Sequence, residues 1–107
     1  MFKSYQKVLR LLRKKCPPAF PVYVRRVKMG DTKDGYCSKV NDKFQIRINK
    51  SLSEATTIDT LLHEWSHARC WNHLHDSMSQ EEFIDQAHNA AWGIAYSEVY
   101  QIYEKNC

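Results

Sequence analysis

Leu61-Leu62-His63-Glu64-Trp65-Ser66-His67 is the stretch whose reading decides both fold and chemistry. At about 100° per residue, Ile58, Leu61, Leu62, Trp65 and Ala68 gather on one side of a helix. His63 and His67 then fall about 180° from the centre of that apolar cluster. The pattern predicts a helix from about Thr56 to Cys70 or Trp71, with a core face and a separate histidine face. Residues four apart sit one turn above each other, so the two imidazoles project together. Such a pair suits one Zn2+ ion, bound through ring nitrogens at ~2.0–2.1 Å. Glu64, beside them in the H-E-x-x-H pattern, is placed to take a proton from a water on that ion. The same five-residue pattern arises by chance on the order of once per hundred chains of this composition. Its helical setting and the apolar lead-in are what give it weight.

A catalytic zinc needs a third protein donor and leaves a position for water. His73 stands ten residues after His63, a spacing used when the chain turns sharply after the helix. That turn wants glycine where this chain has Cys70, and a side chain there pays for a left-handed backbone. Glu98 is a carboxylate candidate far along the chain, and His75 lies in the intervening polar loop. His88 is the preferred donor, at the start of a last helix expected to pack across the histidine face. Asp59, Asp76 and Asp85 are candidate hydrogen-bond partners for the ligand histidines.

The segments around this helix define the fold class. Phe2, Tyr5, Leu9, Leu12 and Cys16 recur at helical spacing over residues 2–16, and Pro17-Pro18 end that helix. Pro21 to Met29 is rich in β-formers, and Tyr36 to Val40 reads as a short strand. Phe44, Ile46 and Ile48 alternate with Gln45, Arg47 and Asn49, as in a half-buried strand. Gly30-Asp31, Asp34-Gly35 and Asn41-Asp42 punctuate these runs as turns. The expectation is a three-stranded antiparallel meander, with a substrate pairing along the exposed edge of Gln45–Asn49. Ser79 and Glu82 form a capping-box pair that opens further helix, continuing to about Glu104. Within it, Trp92, Tyr96, Tyr100 and Tyr103 form a stripe read mainly as core, with Tyr96 a candidate oxyanion stabiliser. Gly93 costs a helix ~1 kcal/mol, so a neighbour is expected to need its missing side chain. The whole is an α+β domain over residues 1–107: an N-terminal helix, three strands, the H-E-x-x-H helix and a C-terminal helix.

A chain of 107 residues is one domain. It lacks the ~20 consecutive apolar residues of a membrane span. Lys3, Lys7, Arg10 and Arg13 interrupt any signal-peptide core, so the expected compartment is the cytoplasm. Four scattered cysteines (Cys16, Cys37, Cys70, Cys107) with no C-x-x-C pair read as free thiols. Net charge is +4 and uneven: residues 1–50 carry fourteen Lys/Arg against three Asp, and residues 51–107 two against nine Asp/Glu. A basic first half attracts acidic partners, DNA among them, unless the two halves simply satisfy each other. A nonhydrolytic module using that basic face is therefore the alternative to an enzyme. Oligomeric state leaves no mark in the sequence.

The run from Val24 to His67 resembles the SprT-like, Spartan-type zincins, a family of minimal metallopeptidases, and also small phage-encoded zincins. Four features carry the likeness: Val24-Arg25-Arg26-Val27, Gly35-Tyr36-Cys37, Gln45-Ile46-Arg47-Ile48-Asn49, and Thr60-Leu61-Leu62 leading into His63-Glu64. His88 followed by Trp92-Gly93 resembles that family's third-ligand segment. The resemblance implies a minimal zincin fold and peptide-bond hydrolysis of a protein or peptide substrate. It also implies His63, His67 and His88 as zinc ligands, with Glu64 as catalytic acid/base.

Overall fold

The computed structural model describes residues 4–29, 34–71 and 90–105. Over these the chain is α+β, with helix α1 (Tyr5–Lys15), strands β1 (Val22–Val27), β2 (Gly35–Val40) and β3 (Lys43–Asn49), then helices α2 (Glu54–Arg69) and α3 (Ala90–Lys105). The Ser79–Glu82 capping pair lies outside the described residues. Among the described residues, no helix is long and apolar enough to cross a membrane.

Helix α1 starts where the Ser4 hydroxyl accepts from the Lys7 amide at 3.2 Å, satisfying one of the first-turn donors that have no partner within the helix. It buries Tyr5, Val8, Leu9 and Leu12. Helix α2 starts two residues earlier than its periodicity suggests, because Ser53 caps it through the Thr56 amide at 3.2 Å. Its Glu54 carboxylate also accepts from the Tyr5 amide, tying the heads of α1 and α2 together.

The sheet is mixed, in the order β1-β3-β2, and not the expected antiparallel meander. β3 pairs antiparallel with β2 across the two-residue Asn41-Asp42 connection, where Asn41 takes φ 56°. Asparagine tolerates that left-handed conformation better than most residues. β1 runs parallel to β3 on its other side. The physical reason lies in the inward faces. β3 turns Phe44, Ile46 and Ile48 inward, each at most 1 % exposed. β2 offers only Gly35, Cys37 and Lys39 on that side, too little apolar surface for a central strand. With both sides of β3 paired, Gln45–Asn49 has no free edge for a substrate, which corrects that expectation. Among the described strands the free edges belong to β1 and β2.

Helix α2 lies on the sheet's inner face against β2 and β3, and α1 and α3 pack on α2. From Thr57 to Ala68 only Asp59 and His63 escape full burial, as expected of a helix enclosed by neighbours. Trp65 is 0 % exposed, and its indole N–H donates to the Cys16 carbonyl at 2.8 Å.

β2 comes so close to α2 that side chains at the contact are constrained. A Cβ at Gly35 would sit 2.6 Å from the Arg47 carbonyl oxygen and 2.9 Å from Thr60 Cγ2. Since the Arg47 oxygen is backbone within the sheet, Gly35→Ala should destabilise by roughly 1–3 kcal/mol, measurable as a lower urea midpoint. Gly93 is the reverse case, because a Cβ there meets nothing within 4 Å among the described residues. Among the described residues no neighbour requires its missing side chain. Gly93→Ala should therefore stabilise by up to about 1 kcal/mol, checked by the same titration.

Candidate metal centre

Helix α2 brings His63, Glu64 and His67 together. One ligand atom from each lies within 4.8 Å of the others. The geometry follows from the i, i+4 spacing on a helix whose other sides are held by the sheet and α1. His67 is 6 % exposed, Glu64 8 %, and His63 half-buried. The histidine side is thus not an open helix face, as a simple two-sided helix would give, but a covered one.

The Nε2 atoms of His63 and His67 are 3.3 Å apart. Two nitrogens on a tetrahedral zinc at ~2.0–2.1 Å are separated by ~3.3–3.4 Å, so the imidazoles already stand at the spacing the ion requires. In the metal-free protein the same separation lets one neutral ring donate to the other. Burial pushes the Glu64 carboxyl up to about 7, since charge is costly where water is excluded. A bound divalent cation would favour its ionised form.

Helix α3 covers this face. The Trp92 ring lies 5.1 Å from the His63 ring and 5.6 Å from the His67 ring. Tyr96 stacks on Trp92 at 4.9 Å and 22°, and Tyr100 follows at 5.9 Å. The stripe read as core is therefore a ladder leading to the histidines. Trp92 is its contact residue, which the sequence reading missed. The available signal was its position four residues before Tyr96 on one helix face. Tyr96 itself touches Trp92, one ring removed from the imidazoles.

His88 lies outside the described residues, two positions before α3 begins. His73, His75, Asp76 and Asp85 lie outside them as well. Cys70, which closes α2, has φ −98° and ψ 7°, so the chain does not make the left-handed turn there that the His73 arrangement wants. The Glu98 carboxylate is engaged elsewhere: it accepts from Arg69 Nη2 at 2.5 Å and from Cys16 Sγ at 3.8 Å. Arg69 also donates to the Pro17 carbonyl at 2.8 Å. Asp59 is exposed.

Cys37 faces inward from β2, opposite Ile46. Its thiol is pushed up by burial first, and the nearby charges of Glu64 and Cys70 add to the effect. It therefore stays protonated and forms an uncharged wall beside Glu64. Cys16, Cys37 and Cys70 are all free thiols. Compared with known proteins, the chain matches no family model, no curated protein and no solved structure.

Proposed function

We propose that this protein is a zinc-dependent metallopeptidase of the minimal zincin kind, resembling the SprT-like proteins, and that α2 is its active-site helix. The observation that carries the reading is the 3.3 Å Nε2 separation of His63 and His67, with the Glu64 carboxylate beside it. His88 completes the ligand set in this reading. It is supported by Trp92, which brings the chain four residues beyond His88 against both imidazoles.

When bound, zinc would lower the pKa of a coordinated water to ~7 and polarise the substrate carbonyl. Glu64 accepts the proton of the attacking water and then delivers it to the leaving amine. A cation beside it would hold the buried carboxyl ionised, the form that accepts the proton first. Trp92 and the Cys37 thiol keep bulk water from that exchange. Tyr96 is the nearest tyrosine on α3 that could steady a developing oxyanion. An extended protein or peptide substrate would add to the free edge of β2, the strand whose Gly35 and Cys37 border α2. We take the compartment to be the cytoplasm, a reading the free thiols support.

The test is metal dependence. Protein stripped with a chelator should lose cleavage of an unfolded protein substrate and regain it with one equivalent of zinc. Cleavage that survives complete removal of zinc would sink the proposal.

A further inference from the structure

Glu98, which the sequence offers as a metal ligand, has its carboxylate where three helices meet. Its Oε1 accepts from Arg69 Nη2 at 2.5 Å and from Cys16 Sγ at 3.8 Å. Arg69 Nη1 donates to the Pro17 carbonyl at 2.8 Å, and the Trp65 indole to the Cys16 carbonyl at 2.8 Å. One carboxylate oxygen thus joins the end of α1, the end of α2 and the middle of α3. Arg69 is the last residue of α2, two beyond His67. Glu98 stands six residues after Trp92 on α3, about 9 Å along the axis.

Stability is a weak reason for this junction. The Arg69 and Glu98 side chains are 28 % and 47 % exposed, so solvent screens their attraction and the pair adds little to the folding free energy. Orientation is a stronger reason. Among the described side chains of α3 only Ala95 and Val99 are buried, and both are small. At about 100° per residue, Trp92, Ala95, Tyr96, Val99 and Tyr103 share one arc of the helix, and Glu98 lies about 120° from Trp92 on its flank. Flat rings and small side chains on the facing arc resist a roll of α3 about its axis only weakly. A bond on the flank resists it directly. The guanidinium is suited to that task, because its planar fork is aimed by the Pro17 carbonyl before it meets Glu98.

We infer that Glu98, held by Arg69, is a positioning residue: it fixes the roll of α3 and so seats the Trp92 ring against His63 and His67. The seating itself does not require a metal. Its consequence for zinc rests on the reading of α2 as the metal-binding helix. A site holds its ion tightly only when its surroundings keep the donors in place, and Trp92 is the side chain of α3 that touches both imidazoles.

The test is nuclear magnetic resonance of the His63 and His67 ring protons in the chelated full chain. Their displacement by the Trp92 ring current is measured against Trp92→Leu. Glu98→Leu and Arg69→Met should each lose most of that displacement, with little change in the urea midpoint. Glu98→Gln, which keeps an oxygen for Arg69, should retain most of it. Glu104→Leu, an exposed change on the same helix, should leave it unaltered. Zinc titrated into the same samples should bind Glu98→Leu about tenfold more weakly than the wild type. A displacement lost in Glu98→Leu while the wild type takes up no zinc would uphold the positioning role and sink the metal reading alone. A displacement unchanged in both Glu98→Leu and Arg69→Met would overturn the inference whatever zinc does. So would an equal loss in Glu104→Leu, or a fall in the urea midpoint as large as that of Val99→Ala, which would make the junction merely structural.

Discussion

Glu64→Gln should cut peptide hydrolysis by about two to four orders of magnitude while zinc stays at one per chain. Glutamine preserves the shape of the side chain and removes only its ability to hold a proton. The loss is therefore chemical, and the two histidines keep their spacing. Zinc content measured on the same sample separates this outcome from unfolding. Full zinc with unchanged cleavage would mean that another group moves the proton. Full zinc with no cleavage in the wild type either would favour the nonhydrolytic binding module.

The same variant has a second readout in the chelated protein. Glu64 has its carboxyl raised from 4.5 to about 7, so the folded state binds its proton more tightly than the unfolded chain does. That contribution to stability is complete below pH 4.5 and is lost as pH rises through about 7. Above that, the buried carboxylate costs the metal-free fold up to about 3 kcal/mol. Glu64→Gln should accordingly be the more stable protein at pH 8 without metal, with little difference at pH 5. Urea titrations of the two chelated proteins at both pH values check the sign.

His63→Ala should weaken zinc binding by at least about a hundredfold, since the proposed site would lose one of its directly bonded ligands outright. His63 is the cleaner choice of the pair. It is half-buried, whereas His67 is 6 % exposed and its truncation would also leave a hole beneath Trp92. Competition with a chromophoric chelator gives the affinity directly. Trp92, 5.1 Å from the His63 ring, should report zinc binding through its fluorescence in the wild type and not in His63→Ala.

Local signals were legible in the sequence because they depend on neighbours along the chain. The helical period around Leu61–His67 places α2, and the alternation of Phe44, Ile46 and Ile48 places β3 with its inward face correct. The i, i+4 spacing of His63 and His67 was enough to anticipate the paired nitrogens. Strand order was not legible, because it is a competition among faces. β3 took the centre since Cys37 and Gly35 could not fill the core as Phe44 and Ile46 do. The parallel pairing of β1 with β3 follows from that choice and moves the free edge from Gln45–Asn49 to β2. Trp92 was hidden for a similar reason: an aromatic stripe has the same spacing whether it meets a leucine or an imidazole. The cap at Ser53 escaped the periodicity, which placed the start of α2 at Thr56 and not at Glu54.

The most direct test of the account is anomalous diffraction at the zinc edge from crystals grown with one equivalent of the metal. The account predicts a single peak bonded to His63 Nε2 and His67 Nε2 at ~2.0–2.1 Å, with His88 as third protein donor. A peak bound elsewhere, or two imidazoles that face each other with no metal between them at saturating zinc, would contradict it.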